Sequence, residues 1–223
     1  MRNFSFYLFL FFGIILGCQS AEKENSTPFF GNLYVRYLED GQEIKAEVTL
    51  FTGDSMAVAN AYEPEGGLQF LGSAMQARNF NEQLTRYQFE NRIPAPATYR
   101  FKFTNPEGKE VRIETPVYKI DFFSLTDPLS RSSGGSLSLT PEELVENQQI
   151  LILLSNEEGL ARTIEITGPA NISDISFPKQ QLKALSPGKW EYYIVKKSYS
   201  RPQEGLQLLT GYYTKTQTLE IVD

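Results

Sequence analysis

The chain has 223 residues, with 21 Lys and Arg against 27 Asp and Glu, one Cys and no His, for a net charge of −6. That acidic balance argues against nucleic acid as a partner, because neutralising phosphates needs a surplus of Lys and Arg on one face. One thiol forms no intramolecular disulfide, and without His there is no Ser-His-Asp or Cys-His relay and no ordinary zinc site.

Arg2 gives one early positive charge, an almost unbroken apolar run follows from Phe4 to Leu16, and small and polar residues come next. This is the outline of a signal peptide over residues 1–17. A membrane-spanning helix needs ~20 apolar residues, and this run is shorter. Ile15-Leu16-Gly17-Cys18 then resembles the lipobox of bacterial lipoproteins, with Leu16 standing where Ala or Ser is commonest. The resemblance implies cleavage before Cys18, a diacylglycerol on its thiol and acylation of the new amino terminus, so that palmitate-type chains are the lipid attachment. Two or three acyl chains hold a folded domain to a bilayer stably. An acidic body is repelled by anionic lipid, so acylation rather than a basic patch has to supply the anchoring.

Residues 18–29 read as a lipidated Cys followed by a flexible tether, because Gln19 to Pro28 holds no large apolar residue. Gln19 and Ser20 resemble the residues after the cysteine in lipoproteins of the outer membrane. Glu22 and Glu24 resemble the acidic segments of surface-exposed lipoproteins of the Bacteroidota group. The expected location is therefore the bacterial cell envelope, at the outer membrane.

Beyond the tether the dominant period is two. Leu33, Val35 and Tyr37 alternate with Tyr34, Arg36 and Leu38; Asp40-Gly41 gives a turn; and Ile44 to Phe51 resumes an extended pattern. Residues 52–80, with Glu63-Pro64-Glu65-Gly66-Gly67 inside, predict an added hairpin or a binding loop. Tyr99, Phe101 and Phe103 mark a half-buried strand, Asn105 to Gly108 a hairpin turn, and Val111 and Ile113 the return strand. Val117 to Leu125 is expected to be the last strand of a first domain, with Phe122 and Phe123 as the alternative filling of an inter-domain interface. The Ser/Gly-rich stretch 126–135 lacks apolar periodicity and reads as a linker. Thr140-Pro141-Glu142-Glu143-Leu144 carries helix-start chemistry and predicts one short helix, or a single turn, ending by Asn147. Ile150 to Leu154, Ile164 and Ile166, Trp190 to Ile194, and Leu219 and Ile221 read as further strands, with a turn over Asn156 to Gly159.

Pro96 to Phe103 aligns with Pro187 to Ile194 at an offset of 91 residues, with Ile93 and Leu185 leading each copy. That offset is near the ~100 residues of an immunoglobulin-type sandwich. Both copies resemble the turn into a late strand of fibronectin type III and related immunoglobulin-like domains, with Ala97 where Gly is usual in the first. The expected fold is all-β: two tandem immunoglobulin-like antiparallel β-sandwiches, over 30–125 and 136–223, with Tyr99, Phe101, Trp190 and Tyr192 buried.

Without His, the catalytic options narrow to carboxylate pairs, Lys bases or oxygen-ligated metals. Glu63 and Glu65, Glu142 and Glu143, and Glu157 and Glu158 are adjacent acids at turns or helix starts, where solvated acids are ordinary. No calcium loop, phosphate loop or Gly-x-Ser-x-Gly elbow occurs. The expectation is a non-enzyme with no cofactor and no metal. Aromatic residues carry recognition instead: strand alternation puts Tyr193 on the face opposite Trp190 and Tyr192, and splits Tyr212 from Tyr213. The candidate binding surface is Tyr193 with Tyr212 or Tyr213, and the 52–80 segment is the second candidate. The leading function is a lipid-anchored structural or protein-interaction module with an envelope-protein partner. The alternatives are a glycan-binding accessory lipoprotein of an outer-membrane uptake system and, more remotely, a carboxylate-dependent hydrolase.

Overall fold

The computed structural model describes residues 28–81, 83–126 and 128–223. The signal segment, the lipobox-like residues, Cys18 and most of the tether lie outside the described residues.

The first strands are β1 (Phe29–Leu38), β2 (Glu43–Thr52), β3 (Asn60–Ala61), β4 (Gln69–Phe70), β5 (Ser73–Ala74), β6 (Gln76–Asn81), β7 (Leu84–Arg92), β8 (Thr98–Thr104) and β9 (Glu110–Pro116). They are followed by β10 (Phe123–Leu125), β11 (Leu129–Ser130), β12 (Gly135–Leu144), β13 (Gln148–Asn156), β14 (Ala161–Thr167) and β15 (Ala170–Phe177). After a single helical turn, α1 (Lys179–Leu182), come β16 (Gly188–Ser200), β17 (Leu206–Tyr213) and β18 (Gln217–Val222). The chain is all-β, as its period of two dictates, and its strands pack as β-sandwiches.

The alternation holds residue by residue. In β1, Leu33, Val35 and Tyr37 are buried while Tyr34 and Arg36 point the other way. In β8, Tyr99, Phe101 and Phe103 face inward, and in β16 Trp190, Tyr192 and Ile194 do the same. The sheet segment β17-β1-β2-β7-β6 packs on β5-β4-β8-β9, enclosing Leu33, Ile44, Leu50, Phe70, Tyr99 and Phe101 in a first core. The segment β11-β18-β16-β13-β14 packs on β10-β12-β15, enclosing Leu137, Leu144, Ile152, Phe177, Trp190 and Ile221 in a second.

The two sandwiches share a sheet. The first half of β16 pairs with β18, as Gly188 does with Ile221, and its second half pairs with β17, from Val195 and Tyr213 to Ser200 and Leu208. β17 then runs parallel to β1, so Leu206, Leu208 and Tyr212 are buried in the first core. This departs from a division of the cores at 126–135, and two pairs, β1 with β17 and β11 with β18, run parallel rather than antiparallel. Gly205 permits the crossing. Its φ is +79°, its carbonyl accepts the Gly31 N–H at 3.0 Å, and an added Cβ would lie 2.2 Å from the Phe29 oxygen.

Three local expectations are corrected. The short helix over Thr140 to Asn147 is instead the end of β12: Glu142, Glu143 and Leu144 pair with Ile172, Asn171 and Ala170, and Leu144 is fully buried. Pro141 sits within the register shift of this pair, where a missing N–H costs no ladder bond, so sheet pairing overrides a four-residue capping signal. The one short α-helix among the described residues is α1, which places Leu182 in the second core.

Residues 117–125 do not close the first sandwich. Ile120 packs in the second core, and Phe123 to Leu125 pair with β12. The 126–135 stretch contains β11, because Leu129 is an apolar anchor at 0% exposure opposite Ile221. Arg131 pairs with Asp223 at 2.5 Å, and a Cβ on Gly135 would meet the Leu129 side chain at 2.2 Å, so this segment is packed.

Candidate functional site

On the face of the shared sheet that points away from both cores, β1, β17, β16 and β13 bring a set of aromatic and aliphatic side chains together. Tyr193 and Tyr213 stack with ring centroids 6.3 Å apart at 30°, and the Tyr34 and Tyr213 hydroxyls are 3.4 Å apart. Tyr199 lies in the same cross-strand row as Leu209 and Tyr34, and its hydroxyl accepts a hydrogen bond from Arg201 Nε at 3.2 Å. Leu153 is opposite Tyr193, and Leu151 is opposite Val195. Arg36, Gly211 and Lys197 form one row, so a cation stands on each side of the glycine. The Tyr213 ring lies over Gly211, where a Cβ would come within 3.0 Å of it.

Tyr212 is not part of this surface. It points into the first core at 6% exposure and stacks on Tyr37 with centroids 5.4 Å apart at 20°. Of the expected residues, Tyr193 and Tyr213 come together and Tyr212 does not, because adjacent residues of a strand face opposite ways.

One end of the cluster opens into a groove of about 200 Å³ lined by Leu38, Glu39, Asp40, Tyr193, Tyr213, Thr214 and Thr216. The β1–β2 turn is fixed there by the kink between β17 and β18. Glu39 Oε2 accepts the Lys215 N–H at 3.2 Å, and Asp40 Oδ2 accepts the Thr216 hydroxyl at 2.9 Å. Burial, reinforced by the Tyr34 hydroxyl, pushes Tyr213 up to about 12, and burial also raises Tyr193. Both phenols therefore stay neutral near pH 7 as donors and acceptors on apolar rings, which suits the wet and dry halves of a protein contact. Behind the sheet, burial lowers Lys196 to about 8 against the opposing pull of Asp121, and its ammonium sits 5.4 Å from the Tyr118 ring centroid.

Tyr34, Tyr199, Leu151, Leu153 and Leu209 were not candidates from sequence. Tyr34 was legible as out of phase with Leu33, Val35 and Tyr37. The others required knowing that β16 spans both sandwiches and pairs with β17.

The 52–80 segment builds the β4–β5 hairpin, with Leu71 and Gly72 at positive φ, and the edge strand β6. Met56, Val58 and Phe80 are its exposed apolar residues. Of the acid pairs, Glu63 and Glu65 are exposed, Glu63 accepting the Thr85 hydroxyl at 2.9 Å, and Glu157 and Glu158 are exposed in the turn after β13. Among the described residues no helix is long and apolar enough to cross a membrane.

No protein-family model and no curated protein matches the chain. Among solved structures it is similar to a chain described as a cytokine receptor complex, at 12% identity and a TM-score of 0.34, over 84% of this chain and 94% of that one. It is also similar to a tetra-tandem repeat in the extending region of a large adhesion protein, at 13% identity and a TM-score of 0.27, over 87% of this chain and 50% of that one.

Proposed function

We propose that the protein is a lipid-anchored bacterial envelope lipoprotein, held at the outer membrane through acyl chains on Cys18, that works as a protein-docking module rather than as an enzyme. The observation that carries this reading is the cluster of Tyr34, Tyr193, Tyr199 and Tyr213 on the outward face of the sheet the two sandwiches share. Tyrosines give large, rigid contact area at low entropy cost and are enriched where protein interfaces concentrate their binding energy. Cations at Arg36 and Lys197 flank the rings, which favours a partner surface carrying carboxylates. The anchoring half of the reading rests on the lipobox-like residues.

Two measurements test it. Globomycin leaves a precursor heavier than the processed chain, and Cys18→Ala leaves a chain that takes up no labelled palmitate; uptake of palmitate by the variant, or no change in size with globomycin, contradicts the anchoring. A Tyr193→Ala/Tyr213→Ala variant at normal abundance loses the proteins that co-purify with the wild type from solubilised membranes. An unchanged set contradicts the docking surface.

A further inference from the structure

We propose that the outward face of β2, β7 and β6 in the first sandwich is a carbohydrate-binding groove that takes an uncharged glycan chain. This goes beyond the docking reading and uses other residues.

The groove has a volume of about 510 Å³ and is lined by Lys45, Glu47, Gln76, Arg78, Gln88 and Glu90, with Ala46, Ala74 and Phe89 at its floor and end. Strand register sets them in rows: Glu47, Gln88 and Gln76 lie side by side across the three strands, and Lys45 lies beside Glu90. Amides, carboxylates and a guanidinium in adjacent rows present donors and acceptors in planar pairs. A sugar ring presents neighbouring hydroxyls that each donate and accept, so such rows match it.

Charge narrows the ligand class. Lys45 is neutralised by Glu43 at 2.6 Å and Glu90 at 3.3 Å, and Arg86 lies 3.6 Å from Glu47. The groove therefore carries little net charge, which disfavours a phosphate or a polyanion and leaves a neutral polar ligand. The same ion pairs hold Lys45, Glu47 and Glu90 in place before anything binds, which lowers the ordering cost of binding.

An aromatic ring stands beyond the Arg78 end of the groove, outside its lining, with one face covered by Arg86. Phe80 is 57% exposed on β6, and the Arg86 guanidinium lies 5.1 Å from its ring centroid. Arg86 points outward, next to the inward-facing Thr85, so Phe80 stands on the groove side. The register shift between Asn79 and Asn81 re-aims this residue at the end of the strand. A flat apolar ring beside rows of polar groups is what the C–H face and the hydroxyl rim of a pyranose require together.

Calorimetric titration of the mature, detergent-solubilised protein with neutral hexasaccharides of glucose, xylose and mannose, and with a galacturonic acid hexamer, tests the proposal. At least one neutral chain is expected to bind saturably with a Kd of about 10–1000 μM. Gln88→Ala and Phe80→Ala are each expected to weaken binding by about tenfold or more without lowering Tm, while Glu158→Ala leaves it unchanged. No neutral binding at about 5 mM, binding of the anionic hexamer alone, or neutral binding that survives both groove variants overturns the proposal. Saturable binding in a protein that shows no docking partner upholds the groove and removes the docking reading instead.

Discussion

Leu33 and Leu208 sit directly opposite each other in a parallel strand pair, and both are 1% exposed, although every strand of the second sandwich except β18 begins between them in sequence. The first core is thus closed by a strand from the far end of the sequence. A fragment ending at residue 125 lacks Leu206, Leu208 and Tyr212 and leaves the β1 edge unpaired. It is expected to show no cooperative thermal transition by circular dichroism, whereas a chain spanning residues 28–223 melts in one. Leu208→Ala should cost ~2–5 kcal/mol in a denaturant titration, as large-to-small core changes do. A fragment that melts cooperatively would show that β17 is dispensable.

The packing of residues 126–135 makes a second prediction. Leu129 is fully buried and Arg131 is tied to Asp223, so protease should cut slowly between Arg131 and Ser133. A chain nicked there should still elute as one particle, because β17 stays in the first sandwich. Leu129→Ala, at a cost of ~2–4 kcal/mol, should speed the cut markedly. Rapid release of two separate pieces from the wild type would contradict the shared sheet.

Lys196 gives the protein a distinctive pH profile. Its folded pKa is lowered to about 8, and an unfolded lysine titrates near ~10.4. Between those values the unfolded chain binds more protons than the folded one, so stability rises with pH. Tyr87 and Tyr213 are raised to about 12, chiefly by burial, so above pH ~10 the unfolded chain loses protons that the folded chain keeps, and stability falls. Tm should therefore pass through a maximum near pH ~9–10. Lys196→Met should abolish the rising limb and keep the falling one. An unchanged rise in that variant would assign it to another group.

The contrast between outward and inward aromatics is measurable as stability. Trp190 is 1% exposed, and its indole N–H donates to the Ser186 carbonyl at 3.0 Å, so Trp190→Ala should cost ~3–5 kcal/mol. Tyr193→Ala, on the outer face, should cost ~1 kcal/mol or less. Equal losses would mean that Tyr193 belongs to a core.

Much of this was legible in the sequence for a physical reason: a strand's side chains alternate, so Tyr99, Phe101, Trp190 and Tyr192 declared their burial by spacing alone. The same rule required Tyr212 and Tyr213 to part, without saying which went inward. What the sequence hid was long-range pairing. Nothing in Leu206 to Tyr213 marks it as a partner of β1, and the Ser/Gly surroundings of Leu129 masked a single buried anchor. Thr140-Pro141-Glu142 misled because cap chemistry is worth ~1 kcal/mol, less than the ladder and core contacts that Leu144 gains as a strand residue. The 52–80 segment holds Gln76 and Arg78, but the polar groove is not legible from it, because these residues meet Glu47 and Gln88 only through the β2–β7–β6 register.

The docking surface is tested most directly by photo-crosslinking in living cells, with a benzophenone amino acid placed in turn at positions 34, 193, 199 and 158. Discrete, reproducible adducts are expected at 34, 193 and 199 and none at 158, which lies in the exposed turn after β13. No adduct at the three tyrosine positions, or the same adducts at 158, would contradict the claim that the outward face of the shared sheet is where a partner binds.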